Sequence, residues 1–141
     1  MKRIRMRVKQ FQIWGPISAF IVSLCFLTTA NAQVPSFVQA VANGSSGPIK
    51  SLPLSFPKNT AAGNLILVAF DFDASTTASS VTDSQGNAFT AVGSQLTSPG
   101  GGGSRVYYAK NIKGGADTVT VNLSANSSGI ELYLTEYSGV D

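Results

Sequence analysis

No histidine occurs anywhere in this 141-residue chain, and cysteine and tryptophan occur once each, at Cys25 and Trp14. The two methionines, Met1 and Met6, also lie near the N-terminus. Residues 33–141 therefore hold no histidine, cysteine, tryptophan or methionine. Each absence excludes a chemistry. Without imidazole or thiol, neither a Ser-His-Asp triad nor a Cys-His pair can be assembled. Tetrahedral zinc, which takes Cys or His, is excluded in practice. Disulfides are excluded as well, so packing alone must hold the fold, and a domain of this size buries roughly 60–70% of its unfolded surface.

What is present at the N-terminus is a targeting pattern. Residues 1–9 carry Lys2, Arg3, Arg5, Arg7 and Lys9 and no acid. An apolar stretch follows, densest over residues 17–27, and then Thr28-Thr29-Ala30-Asn31-Ala32-Gln33. Basic, apolar and small-x-small segments in that order read as a helical secretory signal over residues 1–32, cleaved after Ala32, with Ala30 and Ala32 as the small residues the peptidase requires. Residues 11–32 are also long enough to be a retained membrane anchor. Gly15-Pro16, the polar Thr28-Thr29 and the Ala-x-Ala site favour cleavage. Leu24, before Cys25, is too large for a lipid-modified cysteine. The expected location is secreted, extracellular or on the cell surface, with the membrane met through this segment alone. Five of the ten basic residues lie in the signal, so the remainder has five basic against seven acidic side chains, a net −2. The excess of positive charge belongs to the signal, and nucleic acid is not an expected partner.

Residues 33–141 read as short β-type runs separated by Gly, Pro, Asn and Ser clusters, with no convincing helical period. Residues 36–41 form a first strand, followed by a turn over 43–48. Residues 49–56 form a second, which Pro53 confines to a sheet edge. Residues 64–72 are the strongest strand. Ile66, Val68, Phe70 and Phe72 share one face and Leu65, Leu67 and Ala69 the other, which places it centrally. Residues 79–82 and 88–92 flank Asp83-Ser84-Gln85-Gly86-Asn87 and are expected to pair as a hairpin, with positive φ at Gly86. Gly100 to Gly103 are expected to form a mobile loop. Residues 105–110, 118–123 and 130–137 complete the set, with turns at Gly114-Gly115 and over 126–129. Val119, Val121 and Leu123 point inward, as do Ile130, Leu132 and Leu134. Seven or eight strands at such spacing predict an all-β fold, an antiparallel sandwich or jelly roll.

Three segments together carry a resemblance: Val81-Thr82-Asp83-Ser84-Gln85-Gly86-Asn87-Ala88-Phe89, then Tyr107-Tyr108-Ala109-Lys110-Asn111-Ile112-Lys113-Gly114-Gly115 with residues 118–121, and Glu136-Tyr137-Ser138-Gly139. The combination resembles a group of poorly characterised β-sandwich modules in secreted bacterial proteins, often within large multidomain surface or extracellular proteins. It covers roughly residues 37–140. It implies fold and location, and no catalytic residues. Those modules usually continue with several more strands after the Tyr-Ser-Gly segment, so residues 33–141 are expected to be one sandwich domain, either complete or cut short at its C-terminal end. An incomplete domain would expose a sheet edge.

Candidate sites are few. Asp71 and Asp73 share a face at the end of the strongest strand and could ligate Ca²⁺ through hard oxygens; a solvated strand end is the commoner meaning of such a pair. Asp83 with Asn87 is a similar case, more often simple turn chemistry. Glu131 and Glu136 have opposite parity, which weakens them as a catalytic pair of the glycosidase type. Tyr133 and Tyr137 share the outward face with Glu131 and Thr135 and could form a platform for sugar rings, although packing between strands is the usual use of tyrosine. Tyr107 and Tyr108 face opposite ways. The leading expectation is a non-catalytic extracellular module with a structural or adhesive role, whose partners are extracellular glycans or other surface domains, and no cofactor. A carbohydrate-binding module, with or without Ca²⁺, is second. A glycan-active hydrolase is third.

Overall fold

The computed structural model describes residues 33–140, so the signal segment with Ala30 and Ala32 lies outside the described residues. Among the described residues there is no helix. Six strands carry the fold: β1 (Ser36–Ser55), β2 (Leu65–Asp73), β3 (Ala78–Asp83), β4 (Thr90–Thr97), β5 (Gly102–Ala109) and β6 (Thr118–Ser138). All pairings are antiparallel. The strand order is β1-β6-β2-β5-β4, with β3 also paired to β6.

β1 and β6 are more than twice as long as the others, and this length builds the sandwich. The first half of β1 pairs with the second half of β6, from Ser36↔Ser138 to Ser46↔Gly129. There β6 also pairs with β2, giving a layer of five strand segments: β1, β6, β2, β5 and β4. The second half of β1, from Ser51 to Ser55, pairs with residues 118–122 of β6, which take β3 on their other side. That is a second layer of three segments. Residues buried on both layers join one core: Ile66, Val68, Phe70, Ile130, Leu132 and Leu134 from the wide layer, with Leu52, Val81, Val119, Val121 and Leu123 from the narrow one.

Two expected turns are bends within continuous strands. In β1 the register shifts between Ser46 and Ile49 and again between Ile49 and Ser51, with Gly47 at φ 102°. A left-handed residue and a bulge redirect a strand without ending it. In β6 the bend falls at residues 124–128. Ser127, 1% exposed, accepts from Asp73 N (2.8 Å) and donates to Gly129 O (2.6 Å). Ser124 bonds Thr77 N (3.1 Å) and the Thr76 hydroxyl (3.1 Å). Hydroxyls thus take over where the ladder bends. Clusters of Gly, Ser and Asn signal a departure from regular pleating, and here the departure is a corner between layers.

The expected hairpin of residues 79–92 does not form. β3 pairs with β6 and β4 pairs with β5. The segment between them, with Gly86 at φ 69° as expected, crosses from one layer to the other. The glycine loop is also tighter than expected: Ser98 N donates to Gly102 O (2.8 Å) and Gly101 N to Ser98 O (3.0 Å), and β5 already begins at Gly102. Pro53 does sit on an edge, since β1 pairs with β6 alone. β2 is central, with its even-numbered face fully buried and Leu65, Leu67 and Ala69 half-buried on the other.

Near the end of β6, Glu136 is wholly buried beside Gln39 and Asn64. It accepts hydrogen bonds from Gln39 Nε2 (2.6 Å), Asn64 Nδ2 (2.7 Å) and Ala61 N (2.8 Å). Gln39 extends the network to the backbone of Lys58. Neutral donors alone satisfy this carboxyl, and they tie β1 and the β1–β2 connection to β6.

Candidate functional site

The outer face of the five-segment layer is where exposed chemistry collects. Register places its residues in rows across the strands. Ala42, Tyr133, Ala69, Val106 and Val92 form one row; Gly44, Glu131, Asp71, Ser104 and Leu96 form the next. Tyr133 is flanked on both sides by alanine, so no neighbouring side chain is long enough to cover its ring. It is 43% exposed.

Tyr133 Oη donates to Glu131 Oε2 at 2.9 Å. That hydrogen bond, the negative charge of Glu131, slight desolvation and the charge of Asp71 together raise the phenol above its ordinary value. The phenol therefore remains a donor throughout the neutral range. Glu131 stands directly opposite Asp71 across the β2–β6 ladder. Like charges in that position oppose pairing, and both side chains are exposed.

Two shallow clefts meet at this cluster. One, of about 480 Å³, runs between Gly44–Ser46 and Ser128–Gly129 past Asp71 and Glu131. The other, of about 280 Å³, is lined by Ala42, Asn43, Gly44, Glu131 and Tyr133. Gly44 and Glu131 belong to both. The absence of a side chain at Gly44 keeps them continuous: a Cβ there would lie 3.7 Å from Glu131 Cγ and 3.6 Å from Ile130 O, in ordinary contact. An aromatic ring, a phenolic donor and two carboxylate acceptors thus border one open groove.

The structure separates the residue pairs read from sequence. Tyr137 lies on the same face as Tyr133, but its ring packs edge-to-face on Phe37, with centroids 6.0 Å apart, and it lines neither cleft. Asp73 turns away from Asp71 to the β6 bend, where it accepts from the backbone N and the hydroxyl of Ser128. These bonds hold its carboxyl below the ordinary range. Asp71 instead faces Glu131. Among the described residues no group of three or more His, Cys, Asp or Glu side chains is arranged to hold a metal ion. Tyr107 and Tyr108 do take opposite faces, Tyr107 stacking on Phe70 with centroids 6.0 Å apart. Sequence reading missed Asn43 and Gly44 as groove residues, because they were assigned to a turn. For Gly44 the available signal was its strand parity with Ala40 and Ala42; Asn43, opposite Leu132, has the other parity and gave none.

No family model matches the chain, and no curated protein or solved structure matches it.

Proposed function

We propose that this chain is a non-catalytic β-sandwich module, exported by its N-terminal segment, which works by presenting the outer face of its wide layer to an extracellular partner. The observation that carries this is the character of that face. Phe37, Tyr133, Val92 and Leu96 are all large, apolar or aromatic, and exposed. Scattered exposed apolar residues are ordinary, whereas several on one sheet face mark an interaction surface. The role is structural or adhesive. The likeness to modules of secreted bacterial surface proteins supports the same reading. Its test is adhesion of beads coated with the chain to extracellular matrix of the producing cells. Replacing Val92 and Leu96 with serine is expected to reduce attachment, and unchanged attachment overturns the reading.

A second reading is favoured by the groove itself. Sugar rings bind by laying CH-rich faces on aromatic rings while carboxylates accept their hydroxyls. Tyr133 with Glu131 and Asp71 supplies both, and the carboxylate pair is also where a hard cation would bind. A glycan array with the wild-type chain and Tyr133→Ala tests it. Expected is a neutral polysaccharide bound by the wild type and weakened by about tenfold or more in the variant. Gly44→Ala, which adds one methyl without displacing a neighbour, should weaken binding as well. An array with no hit removes this reading and leaves the adhesive one standing. A hydrolase ranks last, because the groove is too shallow to wrap a glycosidic bond and exclude water.

A further inference from the structure

A second acidic pair, Asp83 and Asp117, lies where the end of β3 meets the start of β6, and one of its members is buried. Asp117, immediately before β6, is 3% exposed. Its backbone carbonyl accepts from Phe56 N at 3.0 Å, which fixes the residue against the end of β1. One carboxyl oxygen, Oδ1, accepts from the Ser84 hydroxyl at 3.1 Å. The other, Oδ2, is buried with no hydrogen-bond partner. Asp83, at the end of β3, pairs with Val119, two residues beyond Asp117, and Ser84 beside it holds Asp117 Oδ1, so the ladder brings the two acids together. Two neighbouring carboxyls, one carrying an orphaned buried oxygen, are eased by a proton or a cation between them.

The surroundings favour a proton. Asp83 already accepts from Asn87 N (2.8 Å) and from Asn87 Nδ2 (2.6 Å), one on each oxygen. The amide oxygen of Asn87 is taken by Lys113 N at 2.8 Å. The Lys113 ammonium is spent on Gly86 O at 3.1 Å. A Ca²⁺ ion needs roughly six to eight oxygens, and among the described residues no third acidic, histidine or cysteine side chain joins the pair to hold one. Asp83 is therefore a well-solvated acceptor, and the missing donor is a hydrogen on Asp117.

We propose that a single proton bridges the pair, with Asp117 Oδ2–H donating to the Asp83 carboxylate, and that this bridge is a pH-sensitive latch. It joins the 83–87 turn to the segment that leads into β6, and it opens as pH rises. Burial of Asp117 and the adjacent charge of Asp83 both raise its carboxyl above the ordinary range, with Ser84 opposing. The folded state then binds this proton more tightly than the unfolded chain. The latch contributes fully below the ordinary aspartate range, and its contribution is lost as pH rises through the raised value. The charged group acting on Asp117 is Asp83, from β3; Lys113, from the β5–β6 connection, bonds the far side of the 83–87 turn at Gly86 O. No histidine exists to add a titration near neutrality.

The experiment is thermal melting of the full chain from the acid range to neutrality, for the wild type and Asp117→Asn, together with NMR titration of the Asp117 carboxyl carbon in the wild type. Asparagine at 117 keeps the shape and supplies a permanent N–H donor to Asp83. The wild-type melting temperature is expected to fall by roughly 4–8 °C relative to the variant over that rise in pH. The Asp117 carbon is expected to titrate above the other aspartates. Parallel pH profiles for the two proteins, or an Asp117 carbon titrating in the ordinary aspartate range, would overturn the latch. So would a rise in wild-type melting temperature with millimolar Ca²⁺ at neutral pH that the variant lacks, since a cation would then be the bridging species. Should the variant not fold, the carbon titration decides alone.

Discussion

Two carboxyls are buried among the described residues, and their surroundings could hardly differ more. Glu136 sits among three neutral donors, two side-chain amides and a backbone N–H. Asp117 has one hydroxyl donor, a like charge beside it and an oxygen that meets nothing. Burial by itself is therefore no guide to whether an acid stabilises the fold. The count of donors aimed at it decides, because an unsatisfied buried oxygen costs nearly as much as a good hydrogen bond returns. Glu136 acts as a rivet between β1, the β1–β2 connection and β6. Asp117 acts as a conditional contact.

Substitutions at the two sites should move stability in opposite directions. The largest effect is expected from Glu136→Ala, which strands Gln39 Nε2, Asn64 Nδ2 and Ala61 N in a dry site; a loss of about 3 kcal/mol or more in urea unfolding is expected. A loss under about 1 kcal/mol would mean that water replaces the carboxyl and that the two sites are more alike than they look. Next comes Asp117→Asn, expected to raise stability at neutral pH by about 1 kcal/mol. Third is Asp73→Asn, which sharpens the comparison through pH. Ser128 holds the Asp73 carboxyl below its ordinary value, so its contribution is complete above the ordinary aspartate range and fades as the solution becomes acid. That is the reverse of Asp117, and melting of Asp73→Asn should show a shallower acid limb than the wild type. Smallest is Tyr133→Ala, expected to change stability by no more than about 0.5 kcal/mol because the ring is exposed on an open face.

The fold class was legible because alternation is a local signal. Val119, Val121 and Leu123 announce their inward face within six residues, and β2 announces its central position by being apolar on both faces. Every strand segment expected from sequence exists. What was hidden is how the segments join. A Gly-Ser-Asn cluster looks the same whether the chain reverses or rounds a corner, so the bends at Gly47 and Ser127 read as turns. Likewise, Asp83 to Asn87 has hairpin composition, yet its flanking strands join different layers, a choice made by long-range burial of Val81 against β6. Site legibility was partial for a related reason. Parity put Tyr133 and Glu131 on an outward face and Asp71 on one face with Asp73, but only cross-strand register shows that Asp71 stands opposite Glu131. The environment of Asp117 depends on contacts from β3 and the end of β1, and nothing within its own neighbourhood in the chain foretells it.

The continuous pairing of β1 with β6 has a mechanical consequence. Ser36 and Ser138 are partners at one end of that ladder, so tension that pulls these two residues apart would act on that end alone. The ladder would then open like a zip, one rung after another, and not slide as a block in which all rungs share the force. A pulling experiment with handles attached at Ser36 and Ser138 should find this ladder yielding at low force.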